Sequence, residues 1–288
     1  VNAENIEVIH ARSRAPAWSA WFAAHRTNRC FVTTFHGTYG RGNPIKRYYN
    51  SIMTRGERVI AISEFIAGHV RQHYGVPLAQ ISVIPRGVDL EKFSASNISK
   101  ERIIKLAQDW RLPDGVPVIM LPGRLTRWKG QILFIEAIKQ IKHVKFRCLI
   151  IGSDQGRSHY RQSLESEISK CGMSEYVHVI DSCEDMPAAY MLADVVVSAS
   201  IEPEAFGRVV AEAQALGRLV IAADHGGARE TVIDGETGWL TPPGDRKALA
   251  RSIDEALSRP LGERQLFSQR ARRHIRDNYS REEMCKRT

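Results

Sequence analysis

A chain of 288 residues is longer than one ordinary domain and suits two. Hydrophobic residues make up 43% and charged residues 25%, the mix of a soluble globular protein with a packed core. No apolar run approaches the roughly 20 residues that cross a bilayer, which excludes a membrane-spanning helix; the net charge of +9 favours anionic partners, without separating nucleotides from anionic lipid or from a merely solvated surface.

The chain opens on Val1, with no initiator Met and no cleavable leader, and is expected to be a trimmed or partial sequence. Val8–Ile9 and Phe31–Thr34 have the apolar character of strands. Pro44 is placed to begin a helix, with Ile45, Tyr49 and Ile52 on one face and Lys46 and Arg47 on another. Val59–Ile62 predicts a strand, Ser63 a cap for the helix after it, and Ser82–Ile84 a last short strand. Pro85-Arg86-Gly87-Val88-Asp89 and the polar stretch to Lys100 predict a linker.

From there the alternation is regular. Val118–Leu121 predicts a strand ending at Pro122-Gly123, followed by a helix that shows Phe134, Ala137, Ile138 and Ile141 on one face. Phe146–Ile151 is the next strand, His159 to Lys170 a helix, and Val177–Ile180 a third strand. Pro187 opens a short helix, Val195–Ser198 is a fourth strand, Gly207–Leu216 a helix and Leu219–Ala222 a fifth strand. Continuous apolar strands alternating with helices predict a parallel sheet covered on both faces. Near the C-terminus, Arg264, Arg270, Arg272, Arg273 and Arg276 fall in a helical stretch, either an exposed amphipathic helix or a contact for anionic lipid. Five cysteines without paired or metal-site spacing predict neither disulfides nor a metal centre.

Three segments carry candidate chemistry, each after a predicted strand, where ligands of such sheets bind. In Glu204-Ala205-Phe206-Gly207-Arg208-Val209-Val210-Ala211-Glu212, two carboxylates flank a helix start whose unpaired N–H groups suit a phosphate. Carboxylates accept paired hydrogen bonds from the vicinal hydroxyls of a sugar or ribose. On spacing alone, two surface glutamates account for the same letters. In Gly123-Arg124-Leu125-Thr126-Arg127-Trp128-Lys129-Gly130, Arg124 offers a planar fork of donors and Lys129 a point charge to a departing diphosphate; plain basic loop residues are the alternative. In Thr34-Phe35-His36-Gly37-Thr38, His36 is either a ligand-facing or a structural histidine. No Asp-x-Asp pair for a metal-held sugar nucleotide occurs.

Together these segments resemble the retaining glycosyltransferases of family 4, which have the GT-B architecture. The family's Glu-x7-Glu reads Glu204 to Glu212, its Gly-Arg-Leu…Lys-Gly reads Gly123-Arg124-Leu125…Lys129-Gly130, and its His-Gly reads His36-Gly37. Ser63-Glu64, Pro85-Arg86-Gly87-Val88-Asp89, Gly226-Gly227-Ala228-Arg229-Glu230 and Asp234-Gly235-Glu236-Thr237-Gly238 follow the family's remaining motifs in family order. One departure is Ala205, where many members have glycine. The resemblance implies an α/β fold of two Rossmann-like domains with the N-terminal one incomplete: residues 1–92, the later part of an acceptor-side domain, and residues 93–288, a donor-binding domain. It implies that His36, Arg124, Lys129 and Glu204 are catalytic, and that Gly123, Arg124, Lys129, Glu204, Ala205, Phe206, Gly207, Val209 and Glu212 bind the donor. No metal and no cofactor are implied, the nucleoside diphosphate sugar being a co-substrate.

The reaction implied is transfer of a hexose-type sugar to an acceptor hydroxyl with retained anomeric configuration, in cell-envelope polysaccharide or lipopolysaccharide synthesis. The expected partners are a nucleotide sugar and a carbohydrate or lipid-linked acceptor, with peripheral contact to anionic membrane. The expected location is cytoplasmic or at the inner face of the cytoplasmic membrane. Alternatives on the same fold are a nucleotide-sugar epimerase, a sugar phosphorylase, or a non-catalytic nucleotide-sugar-binding fragment. Nucleic acid is not expected, because no basic face with interleaved aromatics is visible.

Overall fold

A computed structural model describes residues 4–39, 42–142, 145–156 and 158–288. The chain divides into two compact units: Val1–Arg86 with Glu204–Phe206 and Met284–Thr288, and Gly87–Pro203 with Gly207–Glu283.

The first unit is built on four parallel strands in sequential order, β1 (Val8–Ala11), β2 (Cys30–Phe35), β3 (Arg58–Ala61) and β4 (Ile81–Val83). Helices α1 (Arg14–Thr27), α2 (Pro44–Ser51) and α3 (Glu64–Tyr74) connect them. The α1 segment carries no clear apolar stripe, which is why the sequence pattern does not announce it. Its buried residues are two alanines, Ala17 and Ala24, while Phe22 is exposed. Helix α2 begins at Pro44 as expected, capped by the Asn43 side chain, which accepts the Lys46 N–H at 2.7 Å. Its expected face does not hold: Ile45 and Tyr49 are exposed, and only Ile52, in the 3-10 turn after the helix, is buried. Ser63 caps α3 as predicted, its Oγ accepting the Ile66 N–H at 3.1 Å.

The second unit holds six parallel strands, β5 (Val118–Pro122), β6 (Arg147–Ile151), β7 (Val177–Ile180), β8 (Val195–Ser198), β9 (Leu219–Ala223) and β10 (Trp239–Thr241). Around them lie α4 (Lys100–Asp109), α5 (Gln131–Ile138), α6 (Ser158–Lys170), α7 (Met186–Leu192), α8 (Arg208–Ala215), α9 (Ala228–Thr231), α10 (Arg246–Ser258) and α11 (Leu261–Asn278). Helix α12 (Arg281–Arg287) closes the chain. Val195–Ser198 and Val177–Ile180 match the sequence reading residue for residue.

Burial explains why these strands are apolar throughout. Ile119 and Leu121 of β5, Cys148 and Ile150 of β6, Val195 and Val197 of β8 and Ile221 of β9 join one core with Phe134, Ile135 and Ile138 of α5. Both sides of the sheet are covered, so no strand position is left for alternation. Each large side chain so buried contributes about 1.5–3 kcal/mol.

The strand order is β10-β9-β8-β5-β6-β7. After β5 the chain winds outward through β6 and β7, then returns to the other side of β5 with β8. The direction of winding therefore reverses between β5 and β8. That switch point leaves the loops at their carboxyl ends free of a crossover and open to a ligand. All five cysteines are free. Among the described residues, no helix is long and apolar enough to cross a membrane.

Candidate functional site

Residues 123–130 and the 207–212 part of another sequence-selected segment lie at the switch point of the second unit. The loop after β5, Gly123 to Gly130, is fastened on two sides. Toward β6, the Gly123 N–H donates to Ile151 O at 2.8 Å and the Leu125 N–H to Ser153 O at 3.1 Å. A Cβ on Gly152 would lie 1.9 Å from Gly123 O, so only glycine permits this approach. Toward β8, the Ile201 N–H donates to Trp128 O at 2.8 Å, and Gly130, at φ +73, packs its α-carbon against the Ala199 carbonyl. The loop backbone is thus fixed by three hydrogen bonds and two close glycine approaches, while the Arg124 side chain is exposed and has no partner among the described residues. Lys129 lies with its Nζ 4.5 Å from the Trp128 ring centroid.

The loop after β8 leads into α8. Gly207, at φ +82, stands at the N-cap and makes no side-chain cap bond. The Val210 and Ala211 N–H groups donate to Gly207 O at 3.0 and 3.2 Å, which leaves the Arg208 and Val209 N–H groups without an intrahelical acceptor at the positive end of the helix dipole. Glu212, one turn further, is nearly buried at 9% exposure. Its Oε2 accepts from the Tyr190 hydroxyl at 3.1 Å, and its Oε1 pairs with Arg208 Nε at 3.0 Å. Tyr190 is itself 1% exposed, so this hydrogen bond locks the carboxylate from beneath. Arg208 is largely exposed, and its pairing is of the screened kind that a ligand displaces readily. The arrangement holds a carboxylate, an uncapped helix start and an Arg/Lys loop at one switch point, where it can bind a phosphorylated, hydroxyl-rich ligand.

His36 is placed elsewhere, in the first unit. Alternate residues of neighbouring parallel strands share a face. Here His10, Thr34 and His36, followed by Arg12 and Arg86, line a cavity of about 280 Å³ floored by Ile60, Ile62 and Ile84. His10 Nε2 and Thr34 Oγ1 are 2.7 Å apart. Burial, then the charges of Arg86 and Arg12, hold the His36 imidazole down at about 4, and its Nδ1 is buried without a hydrogen-bond partner. His36 is therefore neutral at physiological pH.

A stability consequence follows. An unfolded histidine titrates near 6.5. Between that value and about 4 the folded chain binds fewer protons than the unfolded chain. The contribution of His36 to stability is full above pH ~6.5 and is lost as pH falls toward 4. The expected result is a melting temperature that falls more steeply from pH 7 to pH 4 in the parent than in His36→Gln. Parallel curves would refute it.

Of the residues selected from sequence, Gly123, Arg124, Lys129, Gly207, Val209 and Glu212 lie in the second unit, and His36, Glu204, Ala205 and Phe206 group with the first. Within the first unit the Ser63 hydroxyl, besides capping α3, donates to Ala205 O at 2.6 Å. Phe206 is buried. The sequence reading missed Tyr190 beneath Glu212, and Arg12 and Arg86 beside His36. Tyr190 sits on the short helix opened by Pro187, where one tyrosine among apolar residues marks a buried hydroxyl in want of a partner.

Two parallel α/β units, the second with its candidate site at the switch point, define a GT-B glycosyltransferase fold. A crystal structure of a glycosyltransferase from Rickettsia africae superposes with a TM-score of 0.92 at 36% identity, covering 99% of this chain and 76% of that one. Anabaena HepE, solved in complex with UDP and glucose, superposes with a TM-score of 0.89 at 25% identity, covering 99% of this chain and 77% of that one. The family glycosyl transferases group 1 matches residues 103–274, and glycosyltransferase family 4 matches residues 1–92. The chain belongs to the glycosyl transferases group 1 family. Among curated relatives, the D-inositol 3-phosphate glycosyltransferase of Xylanimonas cellulosilytica is 30% identical over 88% of this chain, which spans 64% of that protein. The lipopolysaccharide 1,2-N-acetylglucosaminetransferase of Salmonella typhimurium is 26% identical over 80% of this chain, which spans 60% of that protein.

Proposed function

We propose that this chain carries the donor half of a retaining glycosyltransferase that moves a hexose-type sugar from a nucleoside diphosphate sugar to an acceptor hydroxyl. The observation that carries the reading is the switch point between β5 and β8, where the Arg124/Lys129 loop and the uncapped start of α8 share one end of one sheet. Residues 93–288 form the donor-binding part, and residues 1–92 the acceptor side. The UDP and glucose held by HepE and the lipopolysaccharide named for the Salmonella relative support a sugar nucleotide donor and a cell-envelope acceptor.

In this reading Glu212 accepts hydrogen bonds from the ribose hydroxyls, positioned by Tyr190. The amides after Gly207 and the side chains of Arg124 and Lys129 hold the diphosphate, and these two cations do the work that a metal ion does elsewhere. Glu204 and neutral His36 contact the transferred sugar. As the bond from the anomeric carbon to the β-phosphate oxygen breaks, the acceptor oxygen bonds to that carbon from the same face. The acceptor proton passes to the departing diphosphate oxygen. Positive charge on the sugar and negative charge on the diphosphate both grow in the transition state, and fixed donors stabilise the latter.

The test is incubation of the full-length protein with UDP-, GDP- and ADP-sugars and candidate envelope acceptors. Nucleoside diphosphate release that depends on acceptor, with the product anomer matching the donor by NMR, is expected. An inverted product, or no binding of any nucleotide sugar, would overturn the reading.

A further inference from the structure

At the opposite end of the second unit's sheet from the switch point, a second cavity of about 260 Å³ opens beside the start of β9. Asp194, Gly217, Arg218, Arg264, Ser268 and Arg272 line it: three guanidinium groups against one carboxylate.

The carboxylate is already committed. Asp194 Oδ2 accepts the Val118 N–H at 2.9 Å, and Oδ1 faces Arg264 Nη1 at 3.4 Å. Arg264 is satisfied as well, because its Nε donates to Arg259 O at 2.9 Å and its Nη2 donates to Leu257 O, closing the end of α10. Arg218 and Arg272 are left with a surplus of donors. Arg218 Nε is buried without a partner, and its Nη1 makes a long 3.4 Å bond to Ala193 O. Arg272 Nη2 donates to Ser268 Oγ at 2.8 Å.

The two arginines are brought together by a glycine. Gly217, at φ +69, ends α8, and a Cβ there would lie 2.3 Å from Arg272 Nε. Burial, then the charge of Arg272, lowers the pKa of Arg218, with Asp194 acting the other way but not enough to offset them. A partly buried guanidinium beside an exposed one, with a buried N–H left unbonded, is an unfavourable arrangement that an anion would complete.

We propose that this cavity binds an oxyanion, a phosphate group held between the forks of Arg218 and Arg272 with the Ser268 hydroxyl beside it. The site is distinct from the donor site. It lies past the C-terminal end of α8, whereas the donor phosphates are assigned to the N-terminal end of the same helix. The phosphate is either a free phosphate ion or a phospholipid headgroup, and the two are separable by experiment.

The full-length protein is melted in chloride buffer with inorganic phosphate titrated at constant ionic strength. A saturable rise of roughly 5 °C is expected in the parent and in Arg124→Ala, and none in Arg272→Gln. Arg218→Met gives an independent reading. Removing an unpaired buried cation leaves its melting temperature equal to or above the parent's without phosphate, and below it with phosphate. In a second arm, pelleting with phosphatidylglycerol vesicles is compared with neutral phosphatidylcholine vesicles. A loss of pelleting in Arg272→Gln, with no response to inorganic phosphate in the parent, assigns the site to a headgroup. A phosphate response that disappears in Arg124→Ala but persists in Arg272→Gln places the anion at the donor site and overturns the proposal. No saturable response to phosphate or vesicles overturns it as well.

Discussion

Replacing Arg124 by Ala in the full-length enzyme is expected to lower kcat for sugar transfer by about 10²–10³, with the melting temperature within a degree or so of the parent's. Arg124 is exposed, and among the described residues its guanidinium holds no other group in place. Its backbone carbonyl accepts Gln131 Nε2 at 2.9 Å, a bond that alanine keeps. The fold therefore has little to lose. In the proposed mechanism the reaction has much to lose, because a planar pair of donors on the diphosphate would stabilise charge that is largest when the bond from the anomeric carbon to the diphosphate is breaking. Arg124→Lys keeps the charge and loses the fork, so it should fall between parent and Ala. Steady-state release of nucleoside diphosphate checks this. A kcat unchanged in Arg124→Ala would remove Arg124 from the chemistry.

The second unit was largely legible from sequence because burial on both sheet faces makes each strand a continuous apolar run. Val195–Ser198 is Val-Val-Val-Ser, and its helix begins at the glycine the turn requires. What the letters did not carry was the order of strands. The reversal between β5 and β8 is decided by non-local pairing, Ile119 with Val195 and Met120 with Val196, and no local pattern records it. Tyr190 escaped for the same reason, since its partner Glu212 lies 22 residues on. Helix α10 was legible and was missed: Asp245 caps it by accepting from Lys247 and Ala248, and Leu249, Ile253 and Leu257 recur at helical spacing. In the first unit, α1 buries alanines and α2 exposes Ile45 and Tyr49, so hydrophobic periodicity misleads there. His36 could be selected as a residue at a strand end, but the burial that chiefly keeps it neutral, and the cations that add to it from two other strand ends, are set by non-local packing.

Gly130→Ala is expected to destabilise the second unit by roughly 2–5 kcal/mol and to abolish most activity at the same time. The conformational part comes from φ +73, which costs an L-residue about 1–2 kcal/mol. The steric part is larger in kind than an ordinary overpacked core, because the new Cβ would stand 1.9 Å from the carbonyl oxygen of Ala199. That atom is backbone, in a residue 3% exposed at the end of a buried strand, and has no rotamer to yield. Relief requires the loop to lift away from β8, which breaks the Ile201 N–H to Trp128 O bond and carries Arg124 and Lys129 with it. A displacement of about 1 Å at a catalytic group can cost on the order of 10² in rate. Gly37→Ala is the matched control: its added Cβ meets nothing within 4 Å, and both stability and activity should hold. Urea unfolding and kcat measured on the same preparations decide the matter. A Gly130→Ala enzyme with parental stability and rate would show that the two loops are not locked through this contact, and the switch-point site would then need another means of holding its cations in place.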